Sequence, residues 1–286
     1  MEEKKAATLL SYDFGEDARA GVLAFSTTRR SPFALAADDP RSGGAYAGFN
    51  VTDYCGDAPA LVERDAQWLA GRVGVKRERL ILPRQTHSDR VDCVDEAFLA
   101  LGAEARREKL YGVDALVTDC QGVCVGVSTA DCVPVLLYDP VRRVAAAAHA
   151  GWRGTVSRIV QRALEEMGRS YGTRPENVRS VIGPSISAEA FEVGDEVVEA
   201  FARAGFDTAR LVSERPAMRA EDAGTRKPHI DLWAANAALL EEAGVLLAHI
   251  QVAGVCTYAR CDDFFSARRL GIKSGRVYTG IVLRDE

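Results

Sequence analysis

His87, Cys132 and His149 each stand at the end of a short apolar run in this 286-residue chain. A thiolate and two imidazoles form a donor set suited to Zn²⁺, and three protein ligands leave a fourth tetrahedral position for water or substrate. The same donors could hold copper. They could also work without a metal, with Cys132 as nucleophile and His149 as its base. The trio matches no compact zinc motif, so the residues alone leave these chemistries open, and a buried structural thiol is the competing reading of Cys132. The chain has only four histidines, at 87, 149, 229 and 249.

The elements that must position these groups follow from the apolar patterning. Residues 123–127 and 133–138 are short, β-branched and apolar, which predicts buried strands joined by a turn at Thr129-Ala130-Asp131-Cys132. A reversal at Asp139-Pro140 leads to a third apolar run. His149-Ala150-Gly151-Trp152-Arg153-Gly154 then opens into a helix, with Val156, Ile159, Val160, Ala163 and Met167 at helical spacing and Thr155 expected as N-cap. Cys132 thus falls at a strand junction, and His149 and Arg153 fall where a strand passes into a helix. Residues 80–82 predict a short strand that delivers the polar stretch Arg84 to Asp89, including His87; a solvated turn is the plain alternative there.

Further strands are expected at 17–29, 178–182, 250–255 and 276–283. Helices are expected from Asp57-Pro59 to Val73, over 97–111 and 190–204, and over 232–243, capped by Asp231 and stopped at Gly244. Residues 31–49, with Pro32, Pro40, Gly43, Gly44 and Gly48, read as a loop that is either a lid or a connection. Residues 206–225 read as polar and irregular. No internal repeat or linker divides the chain. The expectation is one domain over 1–286, of α+β class, with mixed sheets covered by helices.

Composition narrows the function. The chain is 47% hydrophobic and 27% charged, with net charge −5 and no basic run, which argues against nucleic acid or an anionic membrane as partner. No apolar stretch approaches the roughly 20 residues that span a bilayer. The charged start, Met1-Glu2-Glu3-Lys4-Lys5, lacks a signal-peptide core, so the cytoplasm is the expected location. Seven cysteines, an odd number without an export signal, argue for thiols rather than a disulfide framework. Cys120 and Cys124 read as core residues of an apolar strand. Dinucleotide, P-loop, nucleophile-elbow and zinc-deaminase signatures are absent.

Gln85-Thr86-His87, Thr129-Ala130-Asp131-Cys132-Val133-Pro134-Val135 and His149-Ala150-Gly151-Trp152-Arg153-Gly154 closely resemble the YfiH-like family. Its members are also called laccase-domain proteins or polyphenol oxidases, and now purine nucleoside phosphorylases. The resemblance runs from about Phe25 to Leu283 and includes Phe49-Asn50, Gly183-Pro184-Ser185-Ile186, Asp231-Leu232 and Phe264-Phe265-Ser266. It implies a layered α/β/β/α fold and a catalytic zinc on His87, Cys132 and His149. It also implies phosphorolysis of adenosine, inosine, guanosine and methylthioadenosine, with adenosine deamination as a further activity and copper-dependent phenol oxidation as the older alternative. A metal-free Cys132–His149 hydrolase stays open. The sequence departs from the family pattern at Arg29, at Ser187-Ala188-Glu189-Ala190 and at Ala267, where substrate preference could be affected.

Under that resemblance, Arg153 and the amides opening the following helix suit a phosphate. Asp131 is expected to orient a ligand or move a proton, or else to cap its turn. Gln85 and Asn50 are expected substrate contacts. The chain is expected to act as a monomer on purine nucleosides and phosphate.

Overall fold

The computed structural model describes residues 8–15, 21–33, 43–218 and 224–284. In chain order the elements are β1 (Leu9–Tyr12), β2 (Val22–Thr27), α1 (Pro59–Val73), β3 (Leu80–Ile81), β4 (Val91–Cys93), α2 (Glu96–Leu99), α3 (Ala103–Lys109) and β5 (Ala115–Thr118). There follow β6 (Cys124–Thr129), β7 (Val133–Asp139), β8 (Val144–Ala150), α4 (Trp152–Val156), α5 (Ile159–Tyr171), β9 (Arg179–Ile182), α6 (Asp195–Arg203) and α7 (Thr208–Leu211). The chain closes with β10 (Val212–Pro216), β11 (Arg226–Ile230), α8 (Leu232–Glu242), β12 (Ile250–Val252), α9 (Ala267–Leu270) and β13 (Val277–Leu283). One sheet has the order β1-β2-β13-β6-β3, a second β12-β9-β7-β8-β5-β4, and β10 and β11 form a separate antiparallel ribbon.

Side chains alternate across a strand, and here the alternation separates three buried layers. Leu116, Leu136, Ala145, Ala147 and Val181 of the six-stranded sheet meet Val125, Val127 and Ile281 of the five-stranded sheet. The opposite face of the larger sheet, through Val135, Leu137, Ala146 and Ala148, packs on α5 and α8. The outer face of the smaller sheet packs Phe25, Cys124 and Tyr278 against Ala66, Leu69 and Val73 of α1. The arrangement is the expected α+β fold, layered α/β/β/α. Within the smaller sheet Gly126 pairs with Gly280, and a Cβ on Gly126 would lie 2.3 Å from the Tyr278 ring. A side chain there would displace a fully buried aromatic.

The structure revises several expected elements. Thr155 does not cap a helix: its buried hydroxyl donates to the Ala150 carbonyl and accepts from Asn236. The helix is split instead, because Arg158 takes a left-handed conformation (φ 62°) between α4 and α5. The 97–111 helix is two short ones, with Gly102 as N-cap of α3. The 190–204 helix begins only at Asp195, since Glu192 bridges to His229. Within 206–225 lie α7 and β10, while residues 219–223 fall outside the described ones. Much of the expected loop at 31–49, residues 34–42, does too. No helix of the described residues is long and apolar enough to cross a membrane.

Candidate metal centre

The turn between β6 and β7 carries the chain from the smaller sheet to the larger one, and Cys132 ends it. Asp131 adopts φ 84° there, a conformation that costs a non-glycine residue about 1–3 kcal/mol unless its surroundings hold it. They do. Its carboxylate accepts hydrogen bonds from Thr257 Oγ1 (2.7 Å), Ser266 Oγ (3.0 Å) and the Arg268 amide (2.7 Å), and its carbonyl accepts from the Ile186 amide. The carboxylate is therefore committed to holding the turn. These bonds fit the turn-capping alternative expected for Asp131, which positions Cys132 through the backbone.

His149 occupies the last turn of the pleat in β8, with the parity of Ala145 and Ala147, so it faces the interior between the sheets. Continuing the β5–β8 register places Asp114 directly opposite. The Asp114 carbonyl accepts from the His149 amide at 2.8 Å, and its Oδ1 lies 2.7 Å from His149 Nδ1. A carboxylate on Nδ1 fixes the tautomer that leaves the Nε2 lone pair free.

The same carboxylate holds His87. After β3 the chain turns with His87 in a left-handed conformation (φ 61°). Asp114 accepts from the amides of Thr86 (3.1 Å), His87 (3.1 Å) and Ser88 (2.8 Å) and from Ser88 Oγ (2.7 Å). Hydrogen bonds to a charged group contribute roughly 1.5–3 kcal/mol each, so together they outweigh the backbone cost at His87. Asp114 is fully buried.

The ligand atoms of His87, Cys132 and His149 lie within 4.8 Å of one another, the one such group among the described residues. Cys132 Sγ is 3.8 Å from His87 Nε2, and the two imidazoles meet edge to face with centroids 4.8 Å apart. Metal bonds near 2.0–2.3 Å at tetrahedral angles require ligand atoms about 3.3–3.6 Å apart, so the Cys132–His87 pair is near that spacing and the widest pair would have to contract by about 1.2–1.5 Å to share one ion. Burial pushes the Cys132 thiol up, but the facing His149 and His87 outweigh it and bring the thiol down to about 6. Burial pushes His149 down, yet the Cys132 thiolate and Asp114 carry it up to about 9. Burial raises the Asp114 carboxyl, and its bonds to His149 and Ser88 overcome that and lower it. A soft thiolate beside two imidazoles, one tautomer fixed, fits a borderline-soft divalent ion.

The expected substrate contacts fare differently. Asn50 is fully buried; its Nδ2 donates to Thr52 and Asp57, and its Oδ1 accepts from the amides of Thr52 and Arg276. Gln85 spends its side chain on both backbone groups of Ser128 and on Tyr54. Both knit loops to strands. Arg153 is exposed, with its guanidinium 4.2 Å from the Trp152 ring and no hydrogen-bonding or ionic partner among the described residues. Of the departures from the family pattern, Arg29 is structural, donating to the carbonyls of Ala47 and Cys261. The Ser187 amide donates to Cys256 Sγ, and Ala267 opens α9 behind its N-cap Ser266. Cys120 and Cys124 are buried in the core.

Residues 36–284 match a family model described as multi-copper polyphenol oxidoreductase laccase. The chain belongs to this family. It is 47% identical over 242 residues to a purine nucleoside phosphorylase of Bacteroides thetaiotaomicron, covering 85% of this chain and 87% of the relative. It is 48% identical over 261 residues to the adenosine deaminase RL5 of an unknown prokaryotic organism, covering 91% of this chain and 94% of the relative. The crystal structure of YlmD from Geobacillus stearothermophilus shares its fold with a TM-score of 0.82 at 28% identity, over 99% of this chain and 98% of that one. The chain is an enzyme of this family.

Asp114 and Ser88 are the participants that sequence reasoning missed. Asp114 was within reach: pairing the strand before Cys120 antiparallel to the one ending at His149 puts the two residues opposite each other.

Proposed function

We propose that the chain is a zinc-dependent purine nucleoside phosphorylase, acting on adenosine, inosine, guanosine and methylthioadenosine, with adenosine deaminase activity. The observation that carries the proposal is the convergence of His87, Cys132 and His149 in a chain nearly half identical to relatives bearing those two activity names. His87 Nε2, Cys132 Sγ and His149 Nε2 would hold the ion. When bound it would supply Lewis acidity and an open coordination position for water or substrate.

The chain's own residues then divide the work. Asp114 keeps the proton of His149 on Nδ1 and locks the His87 turn. Asp131 locks the turn that presents Cys132. Arg153, stacked on Trp152 and without a carboxylate partner among the described residues, supplies a cation for phosphate four residues beyond His149. Phosphorolysis needs that anion against the anomeric carbon, whereas deamination needs only water at the purine C6.

A second reading deserves a test because Asp114, His149 and Cys132 also line up as a relay that would activate a thiol nucleophile without metal. It leaves His87 without a role although His87 Nε2 lies 3.8 Å from Sγ. Copper-dependent phenol oxidation is favoured less, since multi-copper chemistry calls for more imidazoles than this single group provides. The deciding experiment assays inosine phosphorolysis, adenosine deamination and ester hydrolysis on chelator-stripped protein, before and after Zn²⁺ is restored. The proposal expects the first two to vanish and return with Zn²⁺; hydrolysis that survives stripping and depends on Cys132 favours the thiol reading.

A further inference from the structure

Between β8 and α4 the chain passes beneath the metal centre at Gly151, whose backbone (φ −61°, ψ 171°) any residue could adopt. Conformation therefore does not require a glycine here. Space does. A Cβ on Gly151 would lie 2.8 Å from Cys132 Sγ, 3.2 Å from His87 Cδ2 and 3.6 Å from Cys132 Cβ. The first distance is well inside van der Waals contact, and the second leaves almost no room.

The neighbours are poorly able to yield. Cys132 follows a residue pinned by three side-chain hydrogen bonds and a backbone one. His87 sits in a turn whose amides are held by the buried Asp114. Gly151 itself is fixed by β8 on one side and by the Thr155 amide bonding its carbonyl on the other. A methyl group at 151 would thus force apart the two ligands that come from different loops.

We infer that Gly151 is a positioning residue of the metal centre: its missing side chain sets how closely Cys132 Sγ and the His87 imidazole can approach, and so how well the trio fits a small tetrahedral ion. The metal half of the inference rests on the proposed function, while the contact half does not. That separation shapes the test.

Gly151→Ala, Cys132→Ala and the double variant are compared with the wild type in the metal-free state by thermal unfolding. Overpacking costs of this kind lower the melting temperature of a chain this size by roughly 2–10 °C. The inference expects Gly151→Ala to show such a drop, and the same change in the Cys132→Ala background to show little of it, because the Sγ it strikes is gone. A double variant as destabilised as the single one overturns the contact. If Gly151→Ala does not fold, recovery of folding in the double variant still supports it, and failure there overturns it.

Zn²⁺ affinity of Gly151→Ala is then measured by competition with a chromophoric chelator, and Co²⁺ substitution is followed through the thiolate-to-cobalt absorption band. The expected result is about a 10–100-fold weaker affinity, the scale seen when groups supporting metal ligands are altered, with the band shifted or lost. Affinity within about twofold of wild type and an unchanged band overturn the positioning role. A wild type that binds no metal at all points instead to failure of the functional proposal, leaving the unfolding comparison to judge the contact.

Discussion

Asp114→Asn removes one charge and almost no volume, and the structure fixes what must follow. The carboxylate accepts from five donors: His149 Nδ1 and the His87 amide on Oδ1, and the amides of Thr86 and Ser88 with Ser88 Oγ on Oδ2. An asparagine keeps one acceptor oxygen and sets an NH₂ where the other stood. If the oxygen keeps the Ser88 side, the His149 and His87 donors lose their acceptor; in the reverse placement three donors do. A buried donor left without a partner costs about 1–3 kcal/mol, so with some relaxation the substitution should cost about 2–4 kcal/mol. One escape exists. His149 can move its proton to Nε2 and accept from the new amide through Nδ1, but Nε2 then has no lone pair for a metal. Either the metal-free fold weakens by that amount or metal affinity falls, by about 10–100-fold. Denaturant unfolding of the metal-free variant and chelator competition for Zn²⁺ measure both. A variant unchanged in both would refute the assignment of Asp114 as the group that sets both histidines.

Arg153→Ala should keep its zinc, weaken phosphate-dependent cleavage of inosine by about ten- to a hundredfold through loss of one charged hydrogen bond, and spare adenosine deamination; a parallel fall in both reactions on one folded preparation counts against it. Cys120→Ala and Cys124→Ala should each cost a core-packing amount of about 1 kcal/mol in an unfolding titration and leave metal content intact. Because the facing imidazoles bring the Cys132 thiol down to about 6, the thiolate is present above that pH and lost below it. Its alkylation in metal-free protein should accordingly rise to half its plateau near pH 6. In His149→Ala the midpoint should move up to or past the ordinary thiol value of about 8.5, since burial remains and the main opposing charge is gone.

The three candidate ligands were legible because Cys132 and His149 lie where apolar runs give way to turns and His87 follows a short strand through a polar loop, and strand ends are where a buried sheet exposes side chains on rigid backbone. The layers were legible because β6, β7 and β8 are buried along their whole length and carry long apolar stretches, with the polar Ser128, Thr129, Asp139 and His149 confined to the strand ends. What escaped was decided across the sequence rather than along it. Asp114 stands 27 and 35 residues from the histidines it serves, and only strand register joins them. Asn50 and Gln85 carry the polarity expected of substrate contacts, yet the amide group of each is engaged by protein partners. Thr155 has a cap's chemistry, but a left-handed Arg158 moved the start of the long helix beyond it. The ribbon of β10 and β11 was missed because Ser213, Glu214 and Arg215 give a strand without an apolar face.

The central claim is that His87, Cys132 and His149 hold one zinc ion. It is tested most directly by elemental analysis of protein purified without added metal, run beside His87→Ala, Cys132→Ala and His149→Ala. The wild type should carry about one equivalent of zinc, the stoichiometry of a single three-ligand site, and all three variants should lose it. Copper in place of zinc, or zinc retained after Cys132→Ala in folded protein, would contradict it.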